Sequence, residues 1–259
     1  LDAFNLGVLF EKYLLSNEKG NLDQLIKLAN NNIHDFIEFS LDYALAGMFS
    51  EAKQLLNAGI WQCGEMYPMA GYLMGWYELK CTIHLDQITK SSAENVDGLN
   101  FFKKAAQSKS DYCFPNRLEE VLALQCAMSI NPEDASAPYS LGNFWYNARQ
   151  YDEAIQCWEL SRKLDGNFAT VRRNLALAYY NKTNEPAKAL SELESAFNLD
   201  TSDARILMEL DQLYKKLNRP HAERLALLEK HPDCVEYRDD LYLEKATLYN
   251  QLGNFEKAL

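Results

Sequence analysis

Residues 135–168 read ASAPYSLGNFWYNARQYDEAIQCWELSRKLDGNF. Leu141-Gly142 and Trp145 mark one helical face, and Ala154 and Trp158 mark another. Ala148-Arg149-Gln150-Tyr151 sits between the two faces as a turn, and Leu164-Asp165-Gly166-Asn167 closes the second with turn and capping residues. The stretch therefore predicts two helices joined as a hairpin, each apolar along one side. A hairpin of this size cannot bury that side alone, so it predicts neighbours of its own kind.

Two markers carry the pattern onward. An aromatic recurs on the first helix at Trp145, Tyr179, Tyr214 and Tyr249, in steps of 34, 35 and 35. A small residue recurs on the second at Ala154, Ala189, Ala222 and Ala258, in steps of 35, 33 and 36. Small residues there allow two helices to approach, and the aromatics fill the gap between successive hairpins. Asn184-Glu185-Pro186, Asn218-Arg219-Pro220 and Gly253-Asn254-Phe255 supply the hairpin turns, while Asp200-Thr201-Ser202-Asp203 and His231-Pro232-Asp233 supply turns and caps between repeats. The N-terminal third repeats more loosely: Phe10, Tyr43 and Tyr77 lie 33 and 34 apart. Residues 86–97 are polar, helix resumes near Leu99, and a separate helix is expected from Pro115 through Leu118, Val121, Leu122, Leu124 and Met128. The expected organisation is N-terminal helical repeats over 1–85, an irregular helical connection over 86–134 and regular repeats over 135–259, in one continuous solenoid.

The spacing of Leu141-Gly142, Trp145, Ala154 and Trp158 resembles a tetratricopeptide repeat, with Pro138 where that repeat usually has Trp. The resemblance implies an all-α, right-handed α-α superhelix of about six or seven hairpins. A second resemblance rests on Asp111-Tyr112-Cys113-Phe114-Pro115-Asn116-Arg117-Leu118-Glu119-Glu120, Phe168-Ala169-Thr170-Val171, Arg173-Asn174-Leu175-Ala176-Leu177-Ala178-Tyr179, Glu209-Leu210-Asp211-Gln212-Leu213-Tyr214-Lys215 and Arg238-Asp239-Asp240-Leu241. These segments are similar to the C-terminal repeat region of large bacterial proteins that carry an N-terminal domain of unknown function, suspected of binding sugar. Arg172 stands where that pattern expects Trp. This resemblance implies a bacterial multidomain protein and supplies no activity; the alternative to a binding scaffold is an accessory repeat region of a larger carbohydrate-binding or carbohydrate-active bacterial enzyme, packing on its own N-terminal domains. The opening LDAFNLG and the closing GNFEKAL read as cuts within a longer protein.

Composition narrows the function classes. With 24% charged and 47% hydrophobic residues, the 259-residue chain is an ordinary folded one. Its net charge of −11 disfavours phosphate backbones, so no nucleic-acid partner is expected. No apolar run reaches the ~18 residues of a membrane span. Six cysteines without a C-x-x-C pair read as reduced core thiols and a cytoplasmic protein. His34 and Glu38 lie four apart, but no histidine motif marks a metal site, and no phosphate loop, nucleophile elbow or carboxylate pair marks a catalytic one. No enzyme activity, metal or cofactor is expected.

The expected function is a non-catalytic scaffold that binds a peptide or partner domain on the concave face, where the first helices of stacked hairpins line up. In this register Tyr139, Asn143, Tyr146 and Asn147 face inward from one repeat, Arg173, Asn174 and Tyr180 from the next, and Arg205 and Gln212 from the one after. Chaperone-binding repeat proteins hold a C-terminal carboxylate at the positions of Asn143, Asn174 and Arg205. Such clamps use Lys where this chain has Tyr139 and a basic residue where it has Glu209.

Overall fold

Several helices stop where Asn or Gly can leave the right-handed region at low cost. Asn17, Asn30, Asn184 and Asn218 take φ of 55°, 50°, 53° and 55°, and Gly64 and Gly253 take 74° and 77°, the left-handed turn that favours Asn and Gly. The computed structural model describes residues 5–64, 66–86, 96–109 and 113–258, and the polar stretch 87–95 and Asp111-Tyr112 lie outside them. All regular structure among the described residues is helical. The protein is an all-α, tetratricopeptide-like array of helical hairpins. Two compact units divide at Arg149–Gln150. That division follows compactness, whereas the boundaries expected at 86 and 134 follow the regularity of the repeats.

Unit 1 contains α1 (Leu6–Ser16), α2 (Lys19–Ala29), α3 (Ile33–Leu45), α4 (Phe49–Cys63), α5 (Pro68–Asp86), α6 (Val96–Gln107), α7 (Leu118–Ile130) and α8 (Ser136–Asn147). The first six pair as α1 with α2, α3 with α4 and α5 with α6. Phe10, Phe36, Leu41, Leu55, Leu56, Tyr72, Tyr77 and Phe102 form its core, each at most 1% exposed. Close approach depends on two glycines. A Cβ on Gly59 would lie 2.5 Å from the Phe36 ring, and one on Gly75 would lie 2.5 Å from the Phe102 ring. The separate helix begins at Leu118 and not at Pro115, because the Asn116 and Arg117 amides donate to the Glu120 carboxylate at 2.6 and 2.9 Å and fix the start there. This helix, α7, packs on α5 and α8. Only part of its expected apolar set is core: Val121 and Leu124 are buried, while Leu118 and Leu122 are exposed. Asp134 caps α8, accepting from the amides of Ser136 (2.8 Å) and Ala137 (3.1 Å) and from the Tyr72 hydroxyl (2.9 Å).

Unit 2 contains α9 (Tyr151–Leu164), α10 (Ala169–Asn181), α11 (Pro186–Leu199), α12 (Ala204–Lys216), α13 (His221–Lys230), α14 (Pro232–Tyr237), α15 (Asp239–Gln251) and α16 (Phe255–Ala258). The short α14 replaces the plain turn expected at His231-Pro232-Asp233; Pro232 at its first position suits the start of a helix. A latch repeats along the unit. The hydroxyls of Tyr179, Tyr214 and Tyr249 donate to Glu159, Glu194 and Glu229, each twenty residues earlier. The marker aromatics thus bond one repeat to the previous one as well as filling space. Burial holds the Tyr214 hydroxyl's pKa up, at about 12, with the Glu194 carboxylate adding to the rise.

The small-residue marker departs from expectation at one repeat. Ala154 and Ala189 are fully buried, but Ala222 is exposed. The residue three places into α13, as Ala154 is in α9 and Ala189 in α11, is Arg224. Its guanidinium is 2% exposed and faces Asp211, 1% exposed, through bonds of 2.9 and 2.7 Å, with Glu244 at 2.6 Å. Thirty-five residues before Asp211 and Arg224 stand Ala176 and Ala189, both buried. Where one hairpin has two buried small residues, the next therefore has an ion pair.

Candidate functional site

The faces of α8, α10 and α12 that carry the candidate residues follow helical spacing, since residues three, four and seven apart share a side. On α8, Tyr139, Asn143, Tyr146 and Asn147 lie on one such face. The structure grades them steeply: Tyr139 is 7% exposed, Asn143 and Tyr146 are half-buried, and Asn147 is exposed. Tyr139 belongs to the core and offers no ring face to a ligand.

In unit 2 the face is built by α10 and α12 together. Arg173 grips Glu209 with both arms of its guanidinium, Nε to Oε2 at 2.6 Å and Nη2 to Oε1. Its Nη1 donates to the Asn174 side-chain oxygen at 3.4 Å. Arg205, one turn before Glu209, reaches the same carboxylate at 3.4 Å. Glu209 is 14% exposed and Arg173 13%, whereas Arg205 is 62% exposed. Farther along, the Lys216 ammonium lies 4.9 Å over the Tyr180 ring. Gln212 is half-buried on the same side of α12 as Arg205 and Glu209. The structure thus gathers Arg173, Asn174 and Arg205 around one carboxylate and sets Tyr180 beside a cation.

That arrangement adds to what Tyr139 and Glu209 already say against a carboxylate clamp. The place where a ligand carboxylate would meet Arg205 already holds the chain's own Glu209, with Arg173 and Arg205 as its partners. An incoming carboxylate would have to displace a charge-assisted, bidentate contact, among the stronger polar contacts a surface can make. Sequence reasoning missed Glu209 as the centre of the cluster because it was weighed only against a basic residue. The 35-residue recurrence of Glu159, Glu194 and Glu229 was legible but unread.

The remaining candidates take ordinary places. The His34 ring packs edge-on against Tyr67, with centroids 4.9 Å apart, and Glu38 turns to Arg117 at 3.1 Å, so the two do not converge. All six cysteines are free, but only Cys113 and Cys234 are buried; the other four are half-buried, which corrects their reading as core thiols. Burial pushes the Cys113 thiol up to about 11. No helix among the described residues is long and apolar enough to cross a membrane.

No family model matches the chain. Among solved structures it is similar to YrrB, a TPR protein with an unusual peptide-binding site, at 18% identity over 78% of this chain and 86% of that one, with a TM-score of 0.35. TTC0263, a thermophilic TPR protein in Thermus thermophilus, shares 16% identity over 84% of this chain and 99% of that one, with a TM-score of 0.43. MamA from Desulfovibrio magneticus RS-1 shares 15% over 80% and 97%, with a TM-score of 0.42. This likeness is one of fold. The larger bacterial context and its sugar-binding domain gain no support from these comparisons.

Proposed function

We propose that the chain is a non-catalytic scaffold that binds an extended peptide or partner segment across the α10–α12 face. The observation that carries the reading is the cluster of Arg173, Asn174, Arg205 and Glu209 beside Tyr180 and Gln212. These groups are polar, adjacent and partly open to solvent, while the opposite sides of both helices are core. Glu209 holds Arg173 in place, and the exposed Arg205 keeps donors for a partner's backbone carbonyls. Tyr180 adds a large amphipathic surface of the kind that anchors interfaces. Asn143, Tyr146 and Asn147 form a separate candidate patch within unit 1.

The test is selection of displayed peptides on the folded chain, followed by titration of the winners against Arg205→Ala, Tyr180→Ala and Gln212→Ala. Affinity for the selected peptides should fall at least about tenfold, or about 1.4 kcal/mol, in the first two variants. Undiminished binding by all three would sink the assignment of this face.

A further inference from the structure

Unit 2 contains a cavity of about 430 Å³ at the turn between α12 and α13, lined by Lys215, Asn218, Arg219, Pro220, His221, Arg224 and Gln251. Three of these are cations and one is a histidine, in a chain whose net charge is −11, and no carboxylate is among the described lining residues. Arg224 is fixed: its Nε and Nη2 donate to Asp211 and Glu244 from behind the cavity wall. Its Nη1, with two further N–H groups, makes none of these bonds and is not sealed from solvent. An arginine held from behind by two carboxylates, with its third nitrogen open at a cavity wall, is a preorganised donor to an anion. Asp211 and Glu244 balance Arg224 and Lys215, and Glu223 lies 3.7 Å from Arg219. An anion would therefore meet directed donors in a nearly neutral surround. The first turn of α13, which has no side-chain cap, adds the positive end of a helix dipole.

We propose that this cavity binds a phosphoryl group carried on a larger body. Arg224, Lys215, Arg219 and His221 all line the cavity, and four donor side chains match the three acceptor oxygens of a phosphoryl group. The volume leaves room for whatever bears the group. The site shares no residue with the α10–α12 face and does not depend on its assignment.

Calorimetric titration of the whole chain with inorganic phosphate, and with a serine peptide in phosphorylated and plain forms, tests the proposal. The variant is Arg219→Ala/His221→Ala, two exposed residues outside the core; Lys163→Ala/Lys230→Ala removes equal numbers of side chains elsewhere as a control. Saturable binding that weakens at least about tenfold in the first variant and is unchanged in the second supports the site. Phosphopeptide binding that inorganic phosphate competes away supports a phosphoryl group on a larger body, and binding of inorganic phosphate with none of the phosphopeptide overturns it. Absence of saturable binding to either probe, or equal affinity in both variants, or peptide binding indifferent to the phosphoryl group, overturns it.

Discussion

Replacing Asp211 with Ala should unfold unit 2 more readily than any surface change, and the structure gives the size of the effect. Asp211 and Arg224 are 1% and 2% exposed and exchange two hydrogen bonds of 2.9 and 2.7 Å. Removing one member of such a pair leaves a buried charge without its partner, which typically costs about 3–5 kcal/mol. Glu244 still meets Arg224 at 2.6 Å, so the low end, about 3 kcal/mol, is expected. For a unit of this size that lowers the melting temperature by about 10 °C or more. Asp211→Ala/Arg224→Met puts apolar groups where Ala176 and Ala189 stand one repeat earlier while keeping volume, and Lys215 remains to meet Glu244 at 2.9 Å. That double variant should return to within about 1 kcal/mol of the parent, since buried pairs exchange for apolar groups at little loss. Urea unfolding of the intact chain, followed by circular dichroism, measures both. A single variant within about 1 kcal/mol of the parent, or a double variant as unstable as the single, would refute the view that this pair stands in for close packing.

Other outcomes follow from the same structure. Gly75→Ala should destabilise unit 1 by about 1–3 kcal/mol, because the new Cβ meets the buried Phe102 ring at 2.5 Å and overpacking outweighs the helix preference for Ala. Gly20→Ala, where nothing lies within 4 Å, should gain up to about 1 kcal/mol, and equal shifts in urea midpoint for the two would contradict the packing argument. Burial raises the Asp134 carboxyl above its ordinary 3.8, against opposing hydrogen bonds from Ala137, Tyr72 and Ser136. The folded state then holds that proton more tightly than the unfolded one, so this contribution is full below pH 3.8 and is lost as pH rises through the raised value. Asp134→Asn should flatten that part of the stability–pH profile; an unchanged slope would refute the sign. The Cys113 thiol, buried and pushed up to about 11, should alkylate at pH 8 only after unfolding, while the half-buried Cys63 reacts in the native chain; equal peptide-level labelling rates would count against it.

The repeat period, the helices and most of the core were legible in the amino-acid sequence. Trp158, Leu193, Phe197 and Leu228 are buried where a 3.6-residue period puts them, and Asn and Gly end helices where the left-handed turn requires them. Those features are local: they depend on spacing and on the conformational freedom of single residues. Ala222 shows the limit of that reasoning. A two-residue shift at the Asn218-Arg219-Pro220 turn moves Ala222 to solvent and puts Arg224 in the buried place. Only tertiary structure could decide this, because a buried arginine is stable only where two carboxylates from other helices reach it. The same holds for the candidate face. Sequence spacing expected Arg173, Asn174 and Arg205 on inner sides, but the Glu209 cluster joins residues of two helices, and the pairing of Arg224 with Asp211 and Glu244 joins three. Periodicity says which side of a helix a residue is on; packing decides what it meets there.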